Sequence, residues 1–145
     1  MMIKKMMTTL IITLFCSVLI APPFESVAII RDEPICPYEA IWKATCKVES
    51  NFNPFAIGDR HLRDKSYGIV QVRKARLSDY LRQTGISYTE SDMFDPAKSK
   101  EVFMHYAFQI DYRDTERISR EWNGGKKGMQ KKATKKYFEL IKAVL

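Results

Sequence analysis

The chain has 145 residues and a formal net charge of +7, enough for one ordinary domain with a real core and too few for two. The basic balance favours polyanionic partners without saying which. The two histidines, His61 and His105, lie far apart with no cysteine or histidine at ligand spacing, which argues against a zinc site.

Lys4 and Lys5 open a short basic segment, and Met6 to Ala21 is apolar apart from Thr8, Thr9, Thr13 and Ser17. Pro22 and Pro23 break that run, and Ser26-Val27-Ala28 has the small–any–small pattern of a cleavage site, so residues 1–28 read as a secretory signal. The alternative is a retained anchor, but the run is short against the roughly 20 residues that a bilayer requires. The reading is therefore an exported protein, secreted or periplasmic, with one domain at 29–145 and no stable membrane span after cleavage. Cys16 invites a lipoprotein reading, which the bulky Phe15 before it opposes. With Cys16 gone, Cys36 and Cys46 remain in an oxidising compartment where disulfides persist. A bridge between them is expected, the alternative being two free thiols.

The remainder reads as helices joined by polar loops. Pro37 suits a first helical position, and Ile41, Ala44 and Val48 recur at helical spacing up to Glu49. Asn51-Phe52-Asn53-Pro54 ends that helix. Residues 55–66 are charged and read as a loop, and Tyr67 to Val72 as a short turn or strand-like piece. Leu77, Leu81 and Thr84 predict a helix stopped by Gly85. Asp95-Pro96 is a cap followed by a first-turn proline, opening a helix through Ile110. Thr115 to Trp122 is a further helix closed by Gly124-Gly125, and Met129 to Leu145 is the last. No hairpin and no internal repeat stand out. The fold class is all-α.

One acidic residue sits where chemistry could use it. Glu49 closes the first helix, Cys46 lies one turn before it, Trp42 two turns before, and Phe52 follows. A carboxylic acid among apolar neighbours is held protonated, as proton delivery to a glycosidic oxygen requires. On position alone, a glutamate at a helix end is more often a solvated surface residue.

The surrounding motifs carry more. Glu49-Ser50-Asn51-Phe52-Asn53-Pro54 resembles the Glu-Ser-X-Phe-Asn-Pro segment of the soluble lytic transglycosylase family. Ser66-Tyr67-Gly68-Ile69-Val70-Gln71 resembles its Ser-X-Gly-Leu-Met-Gln segment. Trp122-Asn123-Gly124-Gly125 is similar to its Tyr-Asn-Ala-Gly turn, and Thr134-Lys135-Lys136-Tyr137 to its closing Thr-X-X-Tyr element. Each is weak alone; the four in order, from Glu49 to Tyr137, are a strong signal.

The resemblance implies a lysozyme-like helical domain that binds peptidoglycan glycan strands and cleaves them without a cofactor. Glu49 matches the catalytic acid, which protonates the oxygen between N-acetylmuramic acid and N-acetylglucosamine. It then takes a proton from the muramoyl C6 hydroxyl as a 1,6-anhydro ring closes. The substrate's acetamido group supports the charge, so no second carboxylate is needed, a departure from the usual glycosidase pair. By the same resemblance Ser50 hydrogen-bonds near the acetamido group, and Ser66, Gln71 and Asn123 line the cleft. Tyr137 places its hydroxyl near the acid, its plainer alternative being a core aromatic; for Gln71 the plainer alternative is a surface amide. Trp122 departs from the family tyrosine: indole only donates, so it either stacks on a sugar or packs under the acid.

Goose-type lysozymes are also similar, with Gly-Asp and Gly-X-X-Gln-Val wording. They carry an aspartate where this chain has Arg73, while Asp59 matches another of their acidic positions. That loss tilts the reading from hydrolysis toward transglycosylation. The alternatives are a lysozyme-type muramidase on the same fold and a non-catalytic wall-binding or assembly protein. A specialised role beside a secretion, conjugation or phage machine fits the small size. The lysines from Lys126 to Lys136 read as the wet face of the last helix or as attraction to wall polymer. With so few aromatics among them they make a poor nucleic-acid platform, and no nucleic-acid partner is expected.

Overall fold

The computed structural model describes residues 36–145; the expected signal segment, residues 1–28 with Cys16, lies outside the described residues. Helix α1 (Glu39–Ser50) is followed by three two-residue strands, β1 (Ile57–Gly58), β2 (Ser66–Tyr67) and β3 (Val72–Arg73). Helix α2 (Lys74–Thr84), a 3-10 turn at Ser91–Phe94, α3 (Pro96–Ala107), α4 (Thr115–Gly124), a second 3-10 turn at Gly128–Gln130 and α5 (Lys132–Lys142) complete the order. The domain is mostly helical, as expected. The strands form one antiparallel sheet, with Gly58 opposite Ser66 and Ser66 opposite Arg73. The sequence reading found no hairpin because two-residue strands leave no room for the alternation that signals one.

Helix ends follow local chemistry. Asp95 accepts from the Ala97 N–H at 2.8 Å and caps α3 ahead of Pro96. Gly85, at φ 76°, closes α2 in the left-handed conformation. Helix α1 begins at Glu39, two residues after Pro37, and ends by a different device from the one anticipated. Asn51 and Phe52 both take positive φ (53° and 63°), and the Phe52 N–H returns to the Cys46 carbonyl at 3.1 Å. Asparagine tolerates that region; for phenylalanine it costs about 1–2 kcal/mol, so the reversal immediately after Glu49 is bought with backbone strain.

Helix α1 packs on α3, α4 and α5. Its inner face presents Ile41, Trp42 and Thr45, all buried; Trp42 meets Phe103 of α3, and Phe103 meets Trp122 of α4, with ring centroids 5.4 and 5.0 Å apart. Arg120 of α4 is 3% exposed. It ties α4 to the chain leading into α5, donating to Met129 O at 2.6 Å, Thr134 Oγ1 at 3.2 Å and Glu116 Oε1 at 2.5 Å. Thr134 Oγ1 in turn lies 2.6 Å from Gly128 O. The last helix therefore starts at Lys132, later than Met129, because the preceding residues form a tight turn beneath Arg120.

The expected Cys36–Cys46 bridge is absent: both are free cysteines. The Glu39 N–H already bonds the Cys36 carbonyl, so Cys36 lies before the first turn of α1 while Cys46 lies in its last turns. The helical stretch from Glu39 to Cys46 alone rises about 10 Å, beyond the Cα separation of under about 7 Å that a disulfide spans.

Candidate active site

Glu49 lies in the last turn of α1 and lines an open cleft of about 1030 Å³ together with Asp59, Ser66, Gln71, Arg73 and Asn123. The Tyr137 hydroxyl of α5 donates to Glu49 Oε1 at 2.8 Å. Burial pushes the Glu49 carboxyl up to about 7 from the usual 4.5; the Tyr137 hydrogen bond pulls it down, Asp59 pushes it up, and Arg73 pulls it down. Its place at the negative end of the α1 dipole also disfavours the carboxylate. The group is therefore largely protonated below neutral pH and about half protonated near pH 7, which suits a general acid.

Tyr137 is 8% exposed. Its own pKa is driven far up, by burial first and then by the Glu49 charge, so it remains a donor throughout. The spacing of Thr134 and Tyr137 now has a physical reason. Thr134 fastens the start of α5 to Arg120 and Gly128, and one turn later Tyr137 meets the acid. Of Glu49's expected apolar neighbours, Cys46 and Trp42 are buried, whereas Phe52 is half exposed.

Ser66 and Gln71 brace the loops on the other wall. Gln71 adopts φ 57°, and its Nε2 donates to Gly68 O at 2.7 Å and Ala56 O at 3.2 Å. The buried Ser66 hydroxyl lies 2.8 Å from Gln71 Oε1 and 3.1 Å from Asp59 Oδ2. Gln71 does line the cleft, but its amide protons are committed to backbone, leaving only acceptor capacity on Oε1. A side chain on Gly58 would sit on Gln71 Oε1 and 2.6 Å from Ser66 Oγ, so this brace requires glycine there.

Ser50, expected near the substrate's acetamido group, is not among the residues lining the cleft. Its hydroxyl donates to Ile69 O at 2.8 Å, with Cys46 O 3.3 Å away, and so pins the end of α1 to the Gly68–Gln71 turn. Trp122 packs beneath the site: its indole N–H donates to Val70 O at 3.3 Å and the ring is 8% exposed, which leaves no open face for stacking on a sugar. Asn123 is exposed beside it in the cleft. A Cβ on Gly124 would press within 2.6 Å of Thr134 Cγ2, so the residue after Asn123 must be small for α4 to lie on α5.

Arg76 carries a role that the sequence reading missed. Its guanidinium lies over the rings of Tyr106 and Trp122 at 4.3 and 4.8 Å and donates to Trp122 O at 2.7 Å and Glu121 O at 3.2 Å. It thus satisfies carbonyls in the last turn of α4 and fixes the backbone that presents Asn123. In sequence it is one of 24 lysines and arginines with no motif around it. Among the described residues, no three His, Cys, Asp or Glu side chains converge as metal ligands.

Comparison with solved structures finds the same fold in two crystal structures. A chain in the crystal structure of Aeromonas hydrophila PliI in complex with Meretrix lusoria lysozyme aligns with TM-score 0.59 and 21% identity, covering 73% of this chain and 88% of that one. Tapes japonica lysozyme aligns with TM-score 0.60 and 23% identity, covering 73% and 89%. No curated protein matches the sequence. The family model described as the transglycosylase SLT domain matches residues 38–143, a span that takes in Glu49, Gln71, Asn123 and Tyr137. The chain belongs to the transglycosylase SLT domain family, and its fold is lysozyme-like.

Proposed function

We propose that this protein is an exported lytic transglycosylase. In this reading it cleaves the β-1,4 bond from N-acetylmuramic acid to N-acetylglucosamine in peptidoglycan and leaves 1,6-anhydro ends. The observation that carries the reading is the neutral-leaning Glu49 carboxyl in the cleft, held by Tyr137. Protonated, Glu49 gives its proton to the glycosidic oxygen as the C1–O bond breaks. As the carboxylate, it takes the proton of the muramoyl C6 hydroxyl while that oxygen bonds C1. Tyr137 holds Oε1 through both steps, and Asn123 supplies an amide on the open wall for the sugar.

A lysozyme-type hydrolysis is the second reading, favoured by one observation: Asp59 also lines the cleft, and a second carboxylate is what most glycosidases use on water. Mass spectrometry of fragments released from purified peptidoglycan separates the two, because an anhydro end lacks the water that a reducing end has gained. Anhydro ends are expected. Glu49→Gln is expected to lower release by about 10²–10⁴; wild-type rates in that variant would remove Glu49 from the mechanism. Binding without any release by the wild type would favour a wall-binding or assembly role instead. Export, and service to a secretion, conjugation or phage machine, belong to the same proposal; fractionation of the producing cell tests the first.

A further inference from the structure

The small sheet brings together three polar side chains that line the cleft, Asp59, Ser66 and Arg73. Asp59 follows Gly58 of β1, Gly58 is paired with Ser66 of β2, and Ser66 is paired with Arg73 of β3. Arg73 Nη2 lies 2.6 Å from Asp59 Oδ2, and Ser66 Oγ lies 3.1 Å from the same oxygen. Asp59 holds φ 51°, so the ion pair and the turn fix one another. The remaining acids of the cleft are engaged elsewhere: Asp79 by Arg82 and Tyr106, Glu121 by Arg117. Among the described residues, Asp59 is also the carboxylate whose charge is felt at Glu49.

We infer that Arg73 decides the product: by holding Asp59 in an ion pair, it keeps that carboxylate from activating water and leaves the sugar's own C6 hydroxyl as the nucleophile. The inference rests on the transglycosylase reading above and extends it. In the hydrolysis so suppressed, Glu49 protonates the departing oxygen as the C1–O bond breaks. Water oxygen bonds C1, and the water proton passes to Asp59. Arg73 Nη2 and Ser66 Oγ already engage Asp59 Oδ2, so that oxygen is not free to take up the water proton. In ring closure the C6 hydroxyl proton goes to Glu49 and Asp59 is not called upon. Arg73 is thus a positioning residue. Its side chain is 46% exposed, and exposed ion pairs contribute little to stability, so the conformation at Asp59 rather than the fold is what its removal disturbs.

The test digests purified peptidoglycan in isotope-labelled water with wild type, Arg73→Gln and the double variant Arg73→Gln/Asp59→Asn, and weighs the released ends. Arg73→Gln is expected to raise the share of water-added ends by about two- to fivefold, the range that an exposed ion pair supports. The double variant is expected to return to the wild-type share. An unchanged share in Arg73→Gln overturns the inference, as does a gain that survives Asp59→Asn, or loss of cleavage in a folded Arg73→Gln chain. Arg73→Met, read in the same way, covers the case where the glutamine variant does not fold. Wild type that itself releases only water-added ends refutes the transglycosylase reading, a result distinct from the other three.

Discussion

Replacing Glu49 by glutamine tests the protonation argument without any substrate. The carboxyl stands at about 7 in the folded chain against 4.5 for the free side chain, so the folded state binds the proton more tightly than the unfolded one. Glu49's contribution to stability is accordingly intact below pH 4.5 and is lost as pH rises through about 7. Each pKa unit is worth about 1.4 kcal/mol, and the opening of the cleft to solvent discounts the total to about 2–3 kcal/mol. Glutamine keeps a carbonyl for the Tyr137 hydroxyl and carries no charge. Glu49→Gln should therefore match wild type at pH 4 and exceed it by about 2–3 kcal/mol at pH 8, or roughly 10 °C in Tm for a domain of this size. Urea unfolding of both proteins at the two pH values reads the difference. A gap no larger at pH 8 than at pH 4 would show that burial does not hold this acid neutral, and the catalytic argument would lose its physical basis.

Tyr137→Phe removes the 2.8 Å bond that favours the Glu49 carboxylate. Hydrogen bonds to charged groups are worth about 1.5–3 kcal/mol, so the alkaline limb of kcat/KM should move up by about one pH unit, with a lower maximum; a limb that stays in place means the hydroxyl is not coupled to the acid. Gly58→Ala puts a methyl group where the Gln71 amide lies and should cost about 1–3 kcal/mol of stability and most of the activity, read by thermal melts beside turnover. Arg76→Lys loses the planar fork that lies between two rings and two carbonyls. It should raise KM several-fold through Asn123 while the pH profile, set by Glu49, stays in place.

The Glu49 end of the site was legible because its residues sit in short local motifs. Glu49 terminates a periodic helix, and Asp95-Pro96 or Gly85 mark boundaries that need only their neighbours. What escaped was long-range. Ser50 was expected on the substrate, but its partner is the carbonyl of Ile69, and Trp122 reaches back to Val70; no periodicity encodes such pairings. Both are hydrogen bonds from a side chain to a distant carbonyl, and they consume groups that a motif alone would offer to a ligand. The cysteine expectation failed in the same way. Compartment and parity favoured a bridge, while the helix between Cys36 and Cys46 held them apart. Tyr137 is the opposite case: its motif gave the right neighbour, and the structure adds why Thr134 must precede it.

The proposed mechanism has a single carboxylate serve twice, and the opposing influences on Glu49 fit that double use. An acid that only donates is best kept well above the working pH, and a base that only accepts is best kept below it. A residue that must do each in turn, within one catalytic cycle, works best where the two forms are close in free energy. Burial and Asp59 alone would lock Glu49 protonated; Tyr137 and Arg73 alone would lock it ionised. Tyr137 comes from the last helix and Arg73 from the sheet, and both pull down a carboxyl that burial and Asp59 raise, leaving it at about 7. In the proposed transglycosylation, Arg73 has two effects that point in one direction: it favours the Glu49 carboxylate that accepts the C6 proton, and it engages Asp59, the competing carboxylate.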